Sequence, residues 1–148
     1  MEVWDLPEVM AIENISFPNP WHETTFRGEM QNEDFSFPLA AVRRGTQKVI
    51  GYIIYWKIKD EIQINNIAVH PDYRRLGIGQ KMLKEVLGRV REEEAMFASL
   101  EVRVSNVAAQ TLYARLGFTL LGVRKGYYSN PDEDALVLGL NLTTWRSI

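Results

Sequence analysis

The sequence predicts an α+β (mixed α/β) fold, a central sheet of about seven strands flanked by about four helices. Three observations predict it. Stretches with helical apolar spacing are interleaved with stretches rich in β-branched and aromatic residues. No repeat, low-complexity tract or linker interrupts them, so residues 1–148 are expected to form a single domain. The longest apolar run, "VIGYIIYW", suits a buried strand and is far short of the ~20 residues that span a bilayer.

Each element follows from its own pattern. "LPEVMAIENISF" places Leu6, Val9, Met10 and Ile12 at helical spacing, with Pro7 in the first turn. "NPWHETTFRGEM" predicts a second short helix, opening after Pro20. "PLAAVRR" and "KVIGYIIYWKI" are strands joined by the turn "RGTQ", and "DEIQINNIAV" is a third strand. Ile78, Met82, Leu83, Val86, Leu87 and Val90 form one helical stripe. "FASLEVRVS" alternates as a strand with Leu100, Val102 and Val104 on one face. "NVAAQTLYARLG" is a short helix with Asn106 as N-cap and Gly117 just past its end. "FTLLGVR" and "DALVLGLNL" close the sheet.

Composition removes several classes of function. The net charge of −2 gives no general surface for nucleic acid or membrane, so any anion site must be local. With no cysteine there is no disulfide, no thiolate nucleophile and no thiolate metal site. His22 and His70 are too few and too far apart in sequence to suggest a metal, and none is expected. "REEE" at 91–94 reads as a solvated helix end. The first residues, "MEVWDLPEVM", carry acids where a signal peptide would carry lysine or arginine, and a cytoplasmic protein is expected.

The strand before residue 70 breaks its own alternation. Ile62 and Ile64 share one face, whereas Ile67 and Val69 have the opposite parity. One extra residue near Asn65–Asn66 would reset the register as a β-bulge, leaving backbone groups free for a ligand. A strand buried on both faces is the alternative. Beyond it, "RRLGIG" opens the long helix, where unsatisfied N–H groups and the helix dipole favour an anion and glycine lets the backbone approach it. Arg74 and Arg75 add charge. The run lacks the lysine and serine of a nucleoside-triphosphate loop, and Met82 stands at the third glycine of a dinucleotide fingerprint. On its own the loop is better read as a plain helix start.

"NIAVHPDYRRLGIGQKML" resembles the acetyl-CoA motif of the Gcn5-related N-acetyltransferase (GNAT) superfamily. "LEVRVSNVAAQTLYARLGF" and "GYYSNPDEDALVLGL" follow in that superfamily's order. With "SFPNPWHETTF", the four runs are most similar to the bacterial RimI-type ribosomal-protein alanine N-acetyltransferases, over nearly the whole chain. The resemblance implies a sheet bulged and splayed at an acetyl-CoA cleft. It implies pyrophosphate contacts from Arg75, Leu76, Gly77, Ile78, Gly79 and Gln80, and acetyl and pantetheine contacts from the backbone of Ile67, Ala68 and Val69. Asn106 would be both helix cap and cofactor contact.

The same resemblance assigns chemistry to two side chains. Glu101 lies on the strand face opposite Leu100 and Val102, where a glutamate is ordinarily solvated or paired; the match makes it the general base. Tyr113 reads alone as a half-buried core aromatic; the match makes it the general acid facing the coenzyme A sulfur. A phenol near 10 would protonate the thiolate of a thiol near 8.5 uphill by roughly 2 kcal/mol, so hydrogen bonding to the leaving sulfur is the more economical role. Tyr127, Tyr128 and Trp21 read either as packing or as walls of an acceptor groove. The implied reaction is acetylation of a protein N-terminal α-amine, that of a small-subunit ribosomal protein's alanine, by direct attack in a ternary complex. About a tenth of a peptide α-amine is neutral at pH 7, against less than about a thousandth of a lysine, so one carboxylate suits the former better. The remaining readings are an acetyltransferase for lysine or small amines, and a silent coenzyme A-binding module.

Overall fold

The computed structural model describes residues 1–147. A 3-10 turn, Val3–Asp5, leads into α1, Leu6–Ser16, and then α2, Glu23–Gln31. β1 (Ser36–Val42), β2 (Val49–Ile58) and β3 (Glu61–Val69) form an antiparallel meander. α3 (Ile78–Glu92), β4 (Phe97–Arg103), α4 (Val107–Arg115), β5 (Thr119–Tyr128) and β6 (Glu133–Asn141) complete the chain. The sheet has the order β1-β2-β3-β4-β6-β5, and among the described residues its one parallel pair is β3 with β4, joined across α3.

Six strands form among the described residues, against the expected count of about seven. Each quoted strand segment is present. The residues ahead of Pro7 add none, because Glu2 and Asp5 cap one another and wind that segment into the 3-10 turn. Two boundaries also differ. α2 begins at Glu23, three residues beyond Pro20, since the Trp21 N–H is held by a side chain outside the helix. β4 ends at Arg103, so Val104 lies exposed in the following turn rather than on the inner face.

Two apolar clusters sit on opposite faces of the sheet. Leu6, Val9, Ile12 and Phe26 of the first two helices pack on Tyr52, Ile54 and Ala68. Leu83, Val86, Leu87 and Val90 of α3, with Tyr113 and Leu116 at α4, pack on Ile53, Ile62, Ile64, Leu100 and Val102. These four α3 residues belong to the predicted stripe, whose other two members, Ile78 and Met82, are half-buried; burying each of the four contributes on the order of 1.5–3 kcal/mol. No helix among the described residues is long and apolar enough to cross a membrane.

Candidate active site

The site begins as an interruption of the sheet. On β2, Ile54 pairs with Asn66 but the next residue, Tyr55, pairs with Ile64, so Asn65 is the extra residue of a β-bulge. The parity break has that physical origin. Ile62 and Ile64 join the α3-side cluster and Ile67 packs against it, while Asn66 and Ala68 turn to the α1 side. Pairing of β3 with β4 runs from Glu61–Phe97 to Ile64–Leu100 and stops there. Beyond it β3 stays with β2, and β4 stays with β6. The two strands thus keep their outer neighbours and part from each other. The Nδ2 of Asn65 is buried at the fork with no hydrogen-bond partner among the described residues, an energetic cost of about 1–3 kcal/mol that a ligand acceptor would relieve.

The glycine loop lies at the far end of β3. Gly77 is the N-cap of α3 in a left-handed conformation, φ 79°, and Arg75 two residues earlier is also left-handed at φ 64°. No side chain caps this helix start and no acid lies in its first turn, so its N–H groups and positive dipole end are uncompensated. Arg74 donates to the Val69 carbonyl at 2.9 Å and to Ser16 at 2.8 Å, clasping the loop to β3 and α1. A Cβ on Gly79 would meet Leu112 of α4 at 3.4 Å and Val69 at 3.7 Å, so this glycine is bounded by protein. Around Gly77 the space is open, and its conformation is what requires glycine.

Glu101 is the first β4 residue beyond the last β3 pair. Its side chain is 14% exposed, with the Arg124 guanidinium 3.8 Å away. Tyr113 is buried in the α3-side cluster, its ring edge-on to Phe118 at 5.8 Å. Burial first, and the neighbouring Tyr128 second, push its phenol well above the usual tyrosine range. Tyr128 is the member that links them. Its phenol is pushed up to about 12, chiefly by burial, then by Tyr127 and Glu101. Tyr113, Tyr128 and Glu101 therefore share one electrostatic neighbourhood. The Arg103 guanidinium stacks 4.3 Å from the Tyr128 ring centroid and pairs with Glu133 at 3.2 Å. Glu133 also accepts from the Ser105 hydroxyl and N–H, which holds its carboxyl below the ordinary range.

The other predicted residues occupy the rim. Asn106 caps α4 by accepting from the Ala109 N–H at 3.1 Å. Tyr127 is 47% exposed, edge-on to Tyr128, with Arg124 over its ring. Trp21 is on the α1 side, packed on Phe26 and hydrogen-bonded through its N–H to Glu13. Sequence reasoning missed Arg124, Arg103 and Glu13. Only the sheet order brings Arg124 to the site, whereas Arg103 lies two residues beyond Glu101 on the same face of β4, a local signal in the sequence. Glu13 did carry a signal: it is the seventh residue after Leu6, on the same stripe as Val9 and Met10, where an apolar residue is the norm.

A strand pair that opens at a bulge, beside a helix start left bare for an anion, is a scaffold for an extended amide-bearing ligand with a phosphate end. Residues 6–118 match the acetyltransferase (GNAT) family, and the chain belongs to that family. Among its relatives is the [ribosomal protein bS18]-alanine N-acetyltransferase of Escherichia coli (strain K12), 34% identical over 145 residues, 97% of this chain and 95% of that one. A Bacillus subtilis (strain 168) protein, provisionally given the same name, is 35% identical over 142 residues, 96% and 93% of the two chains. The crystal structure of the ribosomal-protein-S18-alanine N-acetyltransferase from Escherichia coli superposes with a TM-score of 0.86 at 33% identity, covering 96% of this chain and 90% of that one.

The acyl donor of the family is acetyl-CoA. The residues present fit such a molecule. Open strand edges and the partnerless Asn65 amide suit a chain of amides, and the uncapped α3 start suits a pyrophosphate.

Proposed function

We propose that the protein acetylates the N-terminal α-amine of a protein, that of the alanine of a small-subunit ribosomal protein. The observation that carries the chemistry is the end of β3–β4 pairing at Ile64–Leu100, which leaves Glu101 as the first carboxylate beyond the fork. The acceptor is supported by the names of full-length relatives at 34–35% identity. A membrane or nucleic-acid partner has no role in this reading.

Acetyl-CoA supplies an acetyl group activated as a thioester. The Ile67–Val69 backbone and the Arg75–Gln80 loop, with Asn106, would hold it. Glu101 takes the proton that the α-amine must lose as its C–N bond forms, directly or through water. Tyr113 faces the leaving sulfur. Its raised pKa makes full proton donation to the thiolate of a thiol near 8.5 still more uphill than for an ordinary phenol, so it acts as a neutral hydrogen-bond donor. A backbone N–H of the bulged strand would meet the carbonyl oxygen as charge grows there. Trp21 on one side and Tyr127 and Tyr128 on the other would wall the acceptor peptide.

A competition assay tests the acceptor. A peptide beginning with alanine should be acetylated on its α-amine at least tenfold faster than on its lysines. A peptide beginning with a bulky residue should be slower, because the amine must approach the thioester closely. Equal labelling of free and N-terminally blocked peptides would place the activity on lysine instead.

A further inference from the structure

Glu13 is 1% exposed, and both of its carboxylate oxygens are occupied. Oε1 accepts from the Tyr52 hydroxyl at 2.5 Å and from the Asn66 amide at 2.8 Å. Oε2 accepts from the Trp21 N–H at 2.9 Å. The three donors come from three different places: the middle of β2, the residue that follows the bulge on β3, and the loop between α1 and α2. No cation pairs with it among the described residues' ion pairs. A buried carboxylate satisfied only by neutral donors contributes little to stability compared with an apolar residue of similar size. Leu6, Val9 and Ile12 show that this stripe is otherwise apolar.

The donors differ in how else they are held. Tyr52 is a fully buried core residue with its ring against Phe26. Asn66 is held by the β2–β3 ladder, which runs on to Val69. The loop of residues 17–22 has no ladder. Arg74 ties Ser16 just before it, and Trp21 is fastened by its contact with Phe26 and its N–H to Glu13. Glu13 is therefore the point at which this loop is referred to the bulged strand.

We infer that Glu13 is a positioning residue for the acceptor: it fixes the Trp21 loop at a set distance from the β3 bulge. The inference rests on the acceptor reading of that loop proposed above. It acts through Trp21 and Asn66 and touches no reacting atom. Removing it should loosen the loop while the ladder keeps the acetyl-CoA side of β3 in place.

The test is Glu13→Gln, which keeps volume but sets an amide donor against one of the three donors. The Michaelis constant for an alanine-leading peptide should rise at least tenfold. The acetyl-CoA Kd by calorimetry and the kcat should stay within threefold. Amide exchange at Trp21 should speed at least tenfold. Tyr52→Phe, which strips one donor from the same carboxylate, serves as the structural control and should change none of these by more than threefold. If Glu13→Gln does not fold, an ester in place of the Trp21 amide removes only that N–H and should raise the Michaelis constant likewise. An unchanged constant in the Gln or ester variant, or an equal rise in Tyr52→Phe, overturns the inference. A wild-type enzyme that leaves the peptide unlabelled overturns the acceptor reading alone, and the exchange rate at Trp21 still decides the positioning.

Discussion

Glu101 and Tyr113 occupy opposite electrostatic situations within one small site. Glu101 keeps partial access to water and a guanidinium at 3.8 Å, whereas Tyr113 is enclosed in the core. Replacing Glu101 by Gln should lower turnover by on the order of 10²–10⁴, and raising the pH should restore part of it as the amine deprotonates unaided. Tyr113→Phe should lose activity with no such recovery. Steady-state rates between pH 6 and 10 separate the two, and near-normal turnover in both with chemistry rate-limiting would refute the assigned roles. The phenols also bear on stability. Burial raises Tyr52, Tyr113 and Tyr128 above the ordinary value of 10.0. The unfolded chain thus ionises first, so their contribution is intact below pH 10 and is lost as pH rises beyond it. Thermal melts should show a Tm falling steeply above pH 10 and flat just below.

At the scale of elements, the start of α3 carries the sharpest constraint. Gly77 sits at φ 79° with open space around it, so Gly77→Ala meets no clash and pays only for conformation, about 1–2 kcal/mol. Relief of that strain would move the helix start, and acetyl-CoA affinity should fall at least tenfold while melting stays cooperative. Calorimetry and a thermal melt together check it. Gly79→Val, aimed at Leu112 and Val69, should instead act by displacing α4. The helical stripe and the strand parity break were legible in the chain because both are local patterns, whereas the left-handed turn at Gly77 was not among the features read from it. The bulge was readable for the same reason: Ile62, Ile64, Ile67 and Val69 could not share a face without an extra residue. The Arg124–Glu101 and Arg103–Tyr128 contacts were not readable, since both depend on β6 inserting between β4 and β5, although Arg103 follows Glu101 by two on one strand face. Tyr127 and Tyr128 were assigned to the sheet edge or the groove, and β5 carries them to its last two positions.

Across the whole molecule, the sheet behaves as two units. One is β1, β2 and β3 with the first two helices; the other is β4, β6 and β5 with α4, and α3 crosses between them. A ligand that binds only the folded chain stabilises it by about 2.7 kcal/mol at a hundred times its Kd. Acetyl-CoA at that excess should therefore raise the Tm by several degrees, and a ligand lacking the phosphate end should raise it less. Scanning calorimetry with the two ligands checks this. The class of fold and the order of its segments follow from composition and periodicity. The seam between the units does not, because where a parallel pair stops is settled by packing on both faces at once.

That seam is short. Four consecutive pairs, Glu61–Phe97 through Ile64–Leu100, are the whole registered contact between β3 and β4. A fork with so brief a stem is a zipper held at one end, and its breathing should start at the open teeth. Deuterium uptake ought to be graded along β3, slow at Ile62 and Ile64 and progressively faster from Ile67 to Val69 wherever the amide faces the gap. A pantetheine arm laid between the tines would close the teeth that the chain itself leaves undone, and that gradient should flatten. The catalytic cleft and the weakest line in the sheet would then be one feature, and the same substrate that feeds the reaction would also splice the two halves of the molecule together.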